Sequence, residues 1–248
     1  MGTAAAQDKV AQTPIPILAY HRFDPATPGP TTVTNAAFAR QLEWLAAHHY
    51  KIVPLRAVVE GLTGKTPPVA APAVAITADD GHRSVYTELF PIIKKEHIPV
   101  TLFIYPSAIS HASYALTWDQ LKEMHDSGLV DIESHTYWHP DFRKERARQS
   151  PEKYRAFVDD QLARSKSVLE DKLGIKVDML AWPFGIVDPE LETSAKRAGY
   201  VAAFGFNGGV AAPGGDLFDL PRIPMSNAAQ GASFGAMLTA TTSGKAQE

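Results

Sequence analysis

The sequence predicts an α/β fold in which a buried parallel sheet curls into an irregular barrel within a single domain. Short apolar runs alternate with amphipathic stretches along the chain, which is typical of repeated strand–helix units that cover both faces of a sheet. The number of such units favours a barrel over a short open sheet. With 248 residues, of which 45% are hydrophobic, the chain can bury one large core. We expect residues 15–240 to form the domain, between flexible segments at residues 1–14 and 241–248.

The first half of the chain contains three predicted strands and two predicted helices. Apolar runs predict the strands at residues 15–20, 74–77 and 100–105. A helix is predicted at residues 34–48, where apolar residues recur at helical spacing. A second helical stretch covers residues 85–96, and Pro91 within it either begins a new turn or kinks the helix.

The second half repeats this alternation. It predicts strands at residues 129–133, 179–182 and 201–206, and helices at residues 118–126, 154–173 and 189–197. Thr117 and Gln120 match a capping box for the first of these helices. Gly174 can end the long helix in a left-handed conformation. Asp188 is an N-cap followed by a first-turn proline for the last helix.

Composition and charge exclude several classes of protein. The net charge is -3, and the mixed charges of residues 141–176 are interpreted as a solvated face of the long helix and the loop before it, so no nucleic-acid partner is expected. The chain has no cysteine, which excludes thiol nucleophiles, cysteine-based zinc sites and iron–sulfur clusters. No run reaches the roughly 18 apolar residues of a membrane-spanning helix, and the first residues do not form a signal peptide.

The first cluster of reactive side chains follows the strand at residues 74–77. Asp79 and Asp80 stand side by side just beyond it and are followed by Gly81. Burying even one carboxylate is costly unless it is paired or bound to a cation. Two interpretations stay open for these residues: a solvent-facing Asp-Gly turn, or a functional pair at the strand end where parallel α/β folds carry their sites.

The second cluster follows the strand at residues 129–133. His135 and His139 are four residues apart, so a turn leaving the strand could direct both imidazoles at one ion, although either could be an ordinary structural histidine. With Asp80 they would form a three-ligand set that leaves positions open for water and substrate. Asp79 could then take a proton from that water, because adjacent side chains of an extended chain point different ways.

These residues stand in motifs that resemble those of the polysaccharide deacetylase family, carbohydrate esterase family 4. The family's Thr-Phe-Asp-Asp-Gly appears as TADDG at residues 77–81, and its His-Ser/Thr-x-x-His appears as HTYWH at residues 135–139. Its Arg-x-Pro-x-Gly aligns with AWPFG at residues 181–185. The resemblance runs from about Ile15 to Met225 in motif order and spacing, and it implies a distorted (β/α)7 barrel.

The resemblance also implies roles for single residues. Asp79 would be the general base, Asp80, His135 and His139 would hold the metal, and the backbone amide of Phe184 would help to stabilise the oxyanion. A divalent ion can activate water and polarise the acetyl carbonyl from one centre. One carboxylate and two imidazoles suit zinc, and they also suit nickel, cobalt or iron(II), so we expect a divalent metal cofactor with zinc as the first choice.

The chain departs from the family pattern at three points. An alanine replaces the phenylalanine of the first motif, which removes packing but no reacting group. Ala181 replaces the arginine that orients the base in the family, so another donor such as Arg83 or Arg222 must hold Asp79. The family's last motif, Leu-x-His, supplies a general acid, but no histidine follows His139 in this chain.

Further residues are candidates for the rim of the site. The segment AYHRF at residues 19–23 resembles the first strand of the subgroup that acts on poly-N-acetylglucosamine. His21 within it could serve as proton donor or hydrogen-bond partner of the base, or it could be structural. Trp138, Trp182 and Tyr105 lie at or just past strand ends, where exposed rings would suit stacking on sugars, although they could instead fill the barrel mouth.

We therefore expect a secreted or periplasmic, metal-dependent deacetylase, with a signal peptide that this sequence does not include. Its partner would be an acetylated polysaccharide, and it would remove N-acetyl groups from poly-N-acetylglucosamine first, with chitin or peptidoglycan glycans next. Two rival functions stay open. One is an O-acetyl xylan esterase, and the other is a noncatalytic glycan-binding protein that keeps the scaffold. The sequence leaves the oligomeric state open.

Overall fold

The structure of the protein, a computed structural model, describes residues 13–243. The flexible segments predicted at residues 1–14 and 241–248 lie outside the described residues, apart from Thr13, Pro14 and the end of the last helix. Within residues 13–243, no helix combines the length and the apolar character needed to span a bilayer.

A curled parallel sheet forms the centre of the fold. The strands are β1 (Ile17–Tyr20), β2 (Arg22–Asp24), β3 (Thr32–Thr34), β4 (Lys51–Ile52), β5 (Ala73–Asp79), β6 (Val100–Ile104), β7 (Val130–Ser134), β8 (Met179–Ala181), β9 (Ala202–Phe204) and β10 (Ile223–Pro224). Eight of them form one sheet in the order β10-β1-β5-β6-β7-β8-β9, with β4 paired to the start of β5. The strands β2 and β3 form a separate parallel pair. The curled sheet confirms the predicted α/β barrel in a single domain.

The helices surround this sheet. They are α1 (Asn35–Ala47), α2 (Leu55–Leu62), α3 (Phe90–Glu96), α4 (Trp118–Asp126), α5 (Phe142–Arg148), α6 (Pro151–Leu173), α7 (Pro189–Arg197) and α8 (Gly231–Ser243). The predicted capping box of α4 is present, because the Thr117 hydroxyl accepts from the Gln120 backbone N–H and the Gln120 side-chain oxygen accepts from the Thr117 backbone N–H. Pro91 lies in the first turn of α3, after a π-helical turn at Val85–Leu89, so it begins a new helical segment.

One predicted loop is a helix. The residues before the long helix form α5, whose sequence FRKERAR has five charged residues and a single large apolar side chain, so it has no regular apolar stripe. The Asp141 carboxylate caps this helix by accepting from the N–H groups of Arg143 and Lys144. A short polar helix of this kind has no 3.6-residue hydrophobic signal, so its end cap and its neighbours decide its conformation.

The two faces of the sheet carry different parts of the core. Successive side chains of a strand point to opposite faces, so Ala75, Thr77 and Asp79 share one face of β5. Ala75 packs with Ile17 and Phe204 in the interior cluster of the barrel. The alternate residues of the strands pack outward against the helices. The alternation of side chains along β5 therefore directs Asp79 into the mouth of the barrel.

Helix α2 packs at the end of the barrel where the strands begin. Leu55, Val58 and Val59 belong to the interior cluster. Arg56 on the same helix donates to the Glu133 carboxylate at 2.5 Å and to the Asp178 carboxylate at 2.9 Å. Glu133 is 0% exposed, and burial raises its pKa well above the usual range, so the Arg56 charge offsets only part of the cost of burying it.

The segment between β9 and β10 continues the wall of the barrel. The Leu220 N–H donates to the Ala203 carbonyl and the Leu220 carbonyl accepts from the Gly205 N–H, both at 2.9 Å. Two residues later the Arg222 carbonyl accepts from the Gly208 N–H at 3.0 Å. These backbone hydrogen bonds fix Arg222 beside the interior, where its side chain is completely buried.

The left-handed residue that ends α6 allows a direct stability test. Gly174 has φ 69°, and an added Cβ would meet no atom within 4 Å, so only the backbone conformation opposes a side chain there. We expect Gly174→Ala to lower the free energy of unfolding by roughly 1–2 kcal/mol, measured by urea denaturation. Gly174→Asn should cost less, because asparagine tolerates this conformation better. Equal stability of the alanine variant and the wild type would contradict this account of the helix end.

Candidate metal and catalytic site

The predicted site residues converge at the carboxyl ends of the strands. Asp79 is the last residue of β5 and Asp80 follows it, while His135 directly follows β7. These strands are neighbours of β6 in the sheet, so their ends meet at one rim. His21 follows β1 and lines the same cleft, which has a volume of 360 Å³.

Asp80, His135 and His139 surround one point. The Asp80 Oδ1 atom lies 3.7 Å from His135 Nε2 and 3.6 Å from His139 Nε2. One ligand atom from each residue lies within 4.8 Å of the other two. Among the described residues this is the one such group of three His, Asp or Glu side chains. Separations of this size fit three ligands around a single ion, so the donor set fits a divalent metal.

The backbone around this group is unusual. Asp80 has φ 73° and His139 has φ 62°, and Thr136 between the histidines has φ 64°. Non-glycine residues with positive φ are uncommon, because the Cβ atom crowds the backbone. Such conformations cluster at sites whose surroundings hold the side chains in place.

The two histidines are held in the form that binds metals. The His135 Nδ1 atom lies 2.7 Å from the Ala181 carbonyl oxygen, which can only accept, so Nδ1 carries the proton and the Nε2 lone pair faces Asp80. Burial lowers the pKa of His135 to about 4. Burial also lowers the pKa of His139. Both imidazoles are therefore neutral near pH 7.

Asp79 is held by Arg222. The two guanidinium nitrogens donate to the two carboxylate oxygens, each at 2.7 Å, and the Arg222 Nη1 also donates to the Thr77 hydroxyl at 3.1 Å. Burial by itself would raise the pKa of Asp79, but the charge and hydrogen bonds of Arg222 and the nearby histidines together outweigh it and hold the pKa well below its usual range. Of the two donors predicted to replace the family arginine, Arg222 takes this place, whereas Arg83 is exposed.

Phe184 occupies the rim on the side of β8. It has φ 57° within the 3-10 turn Pro183–Gly185, and its ring is 63% exposed with its centroid 4.6 Å from that of His139. No residue of the described chain accepts a hydrogen bond from its backbone N–H. Gly185 allows the turn to pack closely, because a Cβ there would lie 2.9 Å from Phe206. Phe184 can thus offer both a free N–H and an apolar ring to the cleft.

The predicted aromatic residues lie in different surroundings. Trp182 is 1% exposed, and its indole N–H donates to the Phe218 carbonyl at 2.8 Å. The prediction that its ring stacks on a sugar is therefore wrong, and Trp182 forms a buried wall of the cleft. Tyr105 is half-buried, with its ring centroid 5.4 Å from that of His139. Trp138 is 42% exposed and lies beside His139.

Sequence reasoning missed some residues that line the cleft or its surroundings. Phe206 lines the cleft and packs edge-on against His21, with the ring centroids 5.3 Å apart. Arg22 also lines the cleft. Its position just after His21 was a signal in the sequence that could have identified Arg22. Tyr114 lies in an irregular segment between β6 and α4, where no periodic pattern marks it.

Known proteins resemble the chain in sequence and in structure. A family model described as polysaccharide deacetylase matches residues 66–203, more than half of the chain. The poly-beta-1,6-N-acetyl-D-glucosamine N-deacetylase of Staphylococcus epidermidis is 29% identical over 201 residues, which cover 79% of this chain and 68% of that protein. The putative polysaccharide deacetylase YxkH of Bacillus subtilis is 26% identical, over 90% of this chain and 76% of that protein.

The solved structure of IcaB from Ammonifex degensii has a TM-score of 0.80 and 25% identity, over 92% of this chain and 98% of that chain. The deacetylase PplD of Streptococcus pyogenes, solved in complex with acetate, has a TM-score of 0.81 at 24% identity, over 92% of this chain and 99% of that chain, and it shows the shared fold. The match to the family model agrees with the ordered motifs and with the convergence of their side chains. The chain belongs to the polysaccharide deacetylase family.

Proposed function

We propose that the protein is a metal-dependent hydrolase that removes N-acetyl groups from an amino-sugar polymer, with poly-N-acetylglucosamine as the first substrate. The observation that carries the proposal is the grouping of Asp80, His135 and His139 around one point beside the ionised Asp79. The name of the staphylococcal relative supports the choice of polymer. Action on such a polymer would place the protein outside the cytoplasm, in the periplasm or in the medium.

Asp80, His135 and His139 would hold the metal ion, and zinc suits their oxygen and nitrogen donors. When bound, a divalent ion lowers the pKa of a coordinated water and polarises a carbonyl group. The protein contributes two neutral imidazoles and one carboxylate, whose positions are held by the Ala181 carbonyl and by the strained turns. The donor set equally admits nickel, cobalt or iron(II).

Asp79 would act as the general base. Its Oδ2 atom lies 3.9 Å from His135 Nε2, so its carboxylate borders the place where the metal and the attacking water would lie. Arg222 keeps it ionised and fixes its orientation, and the carboxylate retains lone pairs that can accept the water proton. The water oxygen then bonds to the acetyl carbon, and the Phe184 N–H can donate to the oxyanion that develops on the carbonyl oxygen.

His21 is the proposed source of the proton for the leaving amine. It lines the cleft that contains Asp79, and the Leu-x-His motif that supplies this acid in the family is missing from the chain. Proton transfer to the sugar nitrogen lets the carbon–nitrogen bond break, which releases acetate and leaves a free amine.

Acetate release from an acetylated glucosamine pentamer tests the function. We expect the purified protein to release acetate, to lose this activity after dialysis against a chelator, and to regain it on addition of zinc. Acetyl-xylan serves as the competing substrate. Turnover of acetyl-xylan but not of the pentamer would contradict the proposed substrate. Turnover of the pentamer by metal-free protein would contradict the proposed role of the metal. Binding of the pentamer without any turnover would favour a noncatalytic glycan-binding protein.

A further inference from the structure

The large hydrophobic side chains that the described chain exposes gather around the candidate site. They are Tyr114 at 41% exposure, Trp138 at 42% and Phe184 at 63%. Phe184 packs against the His139 ring, and Trp138 precedes His139 in the chain. The Tyr114 hydroxyl lies 2.9 Å from that of Tyr105, whose ring contacts His139. A cluster of exposed apolar groups on an otherwise polar surface indicates a binding site.

Tyr114 and Trp138 line a second groove next to the catalytic cleft. This groove has a volume of 470 Å³, and Tyr105 and His111 are also among its lining residues. His139 lines both the groove and the catalytic cleft, so the two are contiguous across a candidate metal ligand. A ligand whose acetyl group reaches the metal site from the cleft can therefore extend into the groove.

The walls of the groove are held by backbone hydrogen bonds. The Tyr114 carbonyl accepts from the Arg83 N–H at 2.8 Å, which ties its segment to the turn after β5. The Trp138 N–H donates to the side-chain carbonyl of the buried Gln161 at 3.1 Å. The Ser107 N–H donates to the Tyr137 carbonyl at 3.1 Å and so joins the two walls. A groove fixed in this way loses little conformational entropy when a ligand binds.

The chemistry of the groove suits a neutral sugar ring. Trp138 and Tyr114 offer aromatic faces that can cover the apolar face of a pyranose. The paired hydroxyls of Tyr105 and Tyr114 leave one O–H and several lone pairs for sugar hydroxyls. No Lys, Arg, Asp or Glu side chain lines the groove in the described part of the chain. A neutral glycan unit therefore fits better than one that bears a carboxylate or an anionic peptide.

We propose that this groove is a second sugar subsite, which binds the glycan unit next to the one that loses its acetyl group, with Tyr114 and Trp138 as its binding residues. The proposal rests on the proposed function. It follows that the protein prefers oligomers to substrates that fill the catalytic cleft alone.

The test compares a long and a short substrate in the same variants. The long substrate is the acetylated glucosamine pentamer, and the short one is 4-nitrophenyl acetate, which has no neighbouring sugar. We expect Trp138→Ala and Tyr114→Ala each to lower kcat/KM for the pentamer about tenfold, mainly through KM, and to change the ester reaction by less than about twofold. Tyr114→Phe should lose less than the alanine variant, because it keeps the ring.

The ester reaction also reports whether each variant folds. Tyr50→Ala removes an aromatic ring that lines a different surface groove, between α1 and α3, and it should leave both reactions unchanged. An equal loss with both substrates, or unchanged pentamer kinetics in the alanine variants, would overturn the subsite while leaving the proposed function intact. Wild-type protein that cleaves the ester but no acetylated pentamer would instead contradict the proposed function.

Discussion

Asp79→Asn is expected to lower kcat for acetate release from the pentamer by about 10²–10⁴-fold, the usual contribution of a general base. The amide has nearly the same shape as the carboxylate but cannot accept the proton of the attacking water. Metal content, measured by elemental analysis, should be retained, because Asp80, His135 and His139 are unchanged. Activity must be expressed per folded protein, since the substitution leaves the buried Arg222 charge without its full partner.

Asp126→Asn is the matched control for this loss. Asp126 is an exposed residue at the end of α4, and its carboxylate pairs with Lys122 at 3.0 Å. Its replacement makes the same chemical change far from the cleft, and we expect wild-type turnover. Turnover of Asp79→Asn within about tenfold of the wild type, with metal bound and the fold intact, would remove Asp79 from the role of base.

Arg222→Ala is expected to affect stability and activity together. Arg222 and Asp79 are 0% and 2% exposed, so removal of the arginine leaves a buried carboxylate without a partner. Breaking such a pair costs about 3–5 kcal/mol of unfolding free energy. Chemical denaturation at pH 7 measures this loss. Acetate release should fall as well, because the carboxylate is no longer held in one orientation.

The pH profile distinguishes positioning of the base from a purely structural role. Asp79 must be ionised to accept a proton, so activity is lost as the pH falls through its pKa. In the wild type that pKa lies well below the usual range, because the charge and hydrogen bonds of Arg222 and the nearby histidines together outweigh the effect of burial. Arg222→Ala removes the largest of the effects that lower this pKa, so the pKa rises and the acidic limb of kcat/KM should move to higher pH.

Arg222→Lys keeps the positive charge but loses the two-point contact. Its acidic limb should lie between those of the wild type and Arg222→Ala. An acidic limb that stays in place in both variants would show that Arg222 supports the fold without tuning the base. A full loss of stability in both variants with the same pH profile would lead to the same conclusion.

The structure confirms most of the regular elements that periodicity predicts. The residues of α7 agree with the prediction at both ends, because Asp188 and the proline after it mark the start of a helix through local chemistry. Gly174 marks the end of α6 in the same way. Helix α5 and strand β10 were not predicted, since a polar helix and a two-residue strand carry no periodic signal and form through contacts with distant segments.

The sequence by itself determined the residues of the candidate metal site and their order. Asp80, His135 and His139 stand at the ends of strands that apolar runs predict, and parallel strands bring such ends to one rim. Local signals suffice there because the residues of each motif lie close together in the chain, and the two strands that carry the motifs, β5 and β7, lie on either side of β6 in the sheet.

Only the tertiary structure decided how the base is held and what lies around the cleft. Arg222 reaches Asp79 from 143 residues away in sequence, across the segment that joins β9 to β10. Trp182 is buried and Trp138 is exposed, although both follow strand ends. Tyr114 lines a groove from an irregular segment. Side-chain pairing and burial at such distances depend on the packing of the whole barrel, for which the chain carries no local signal.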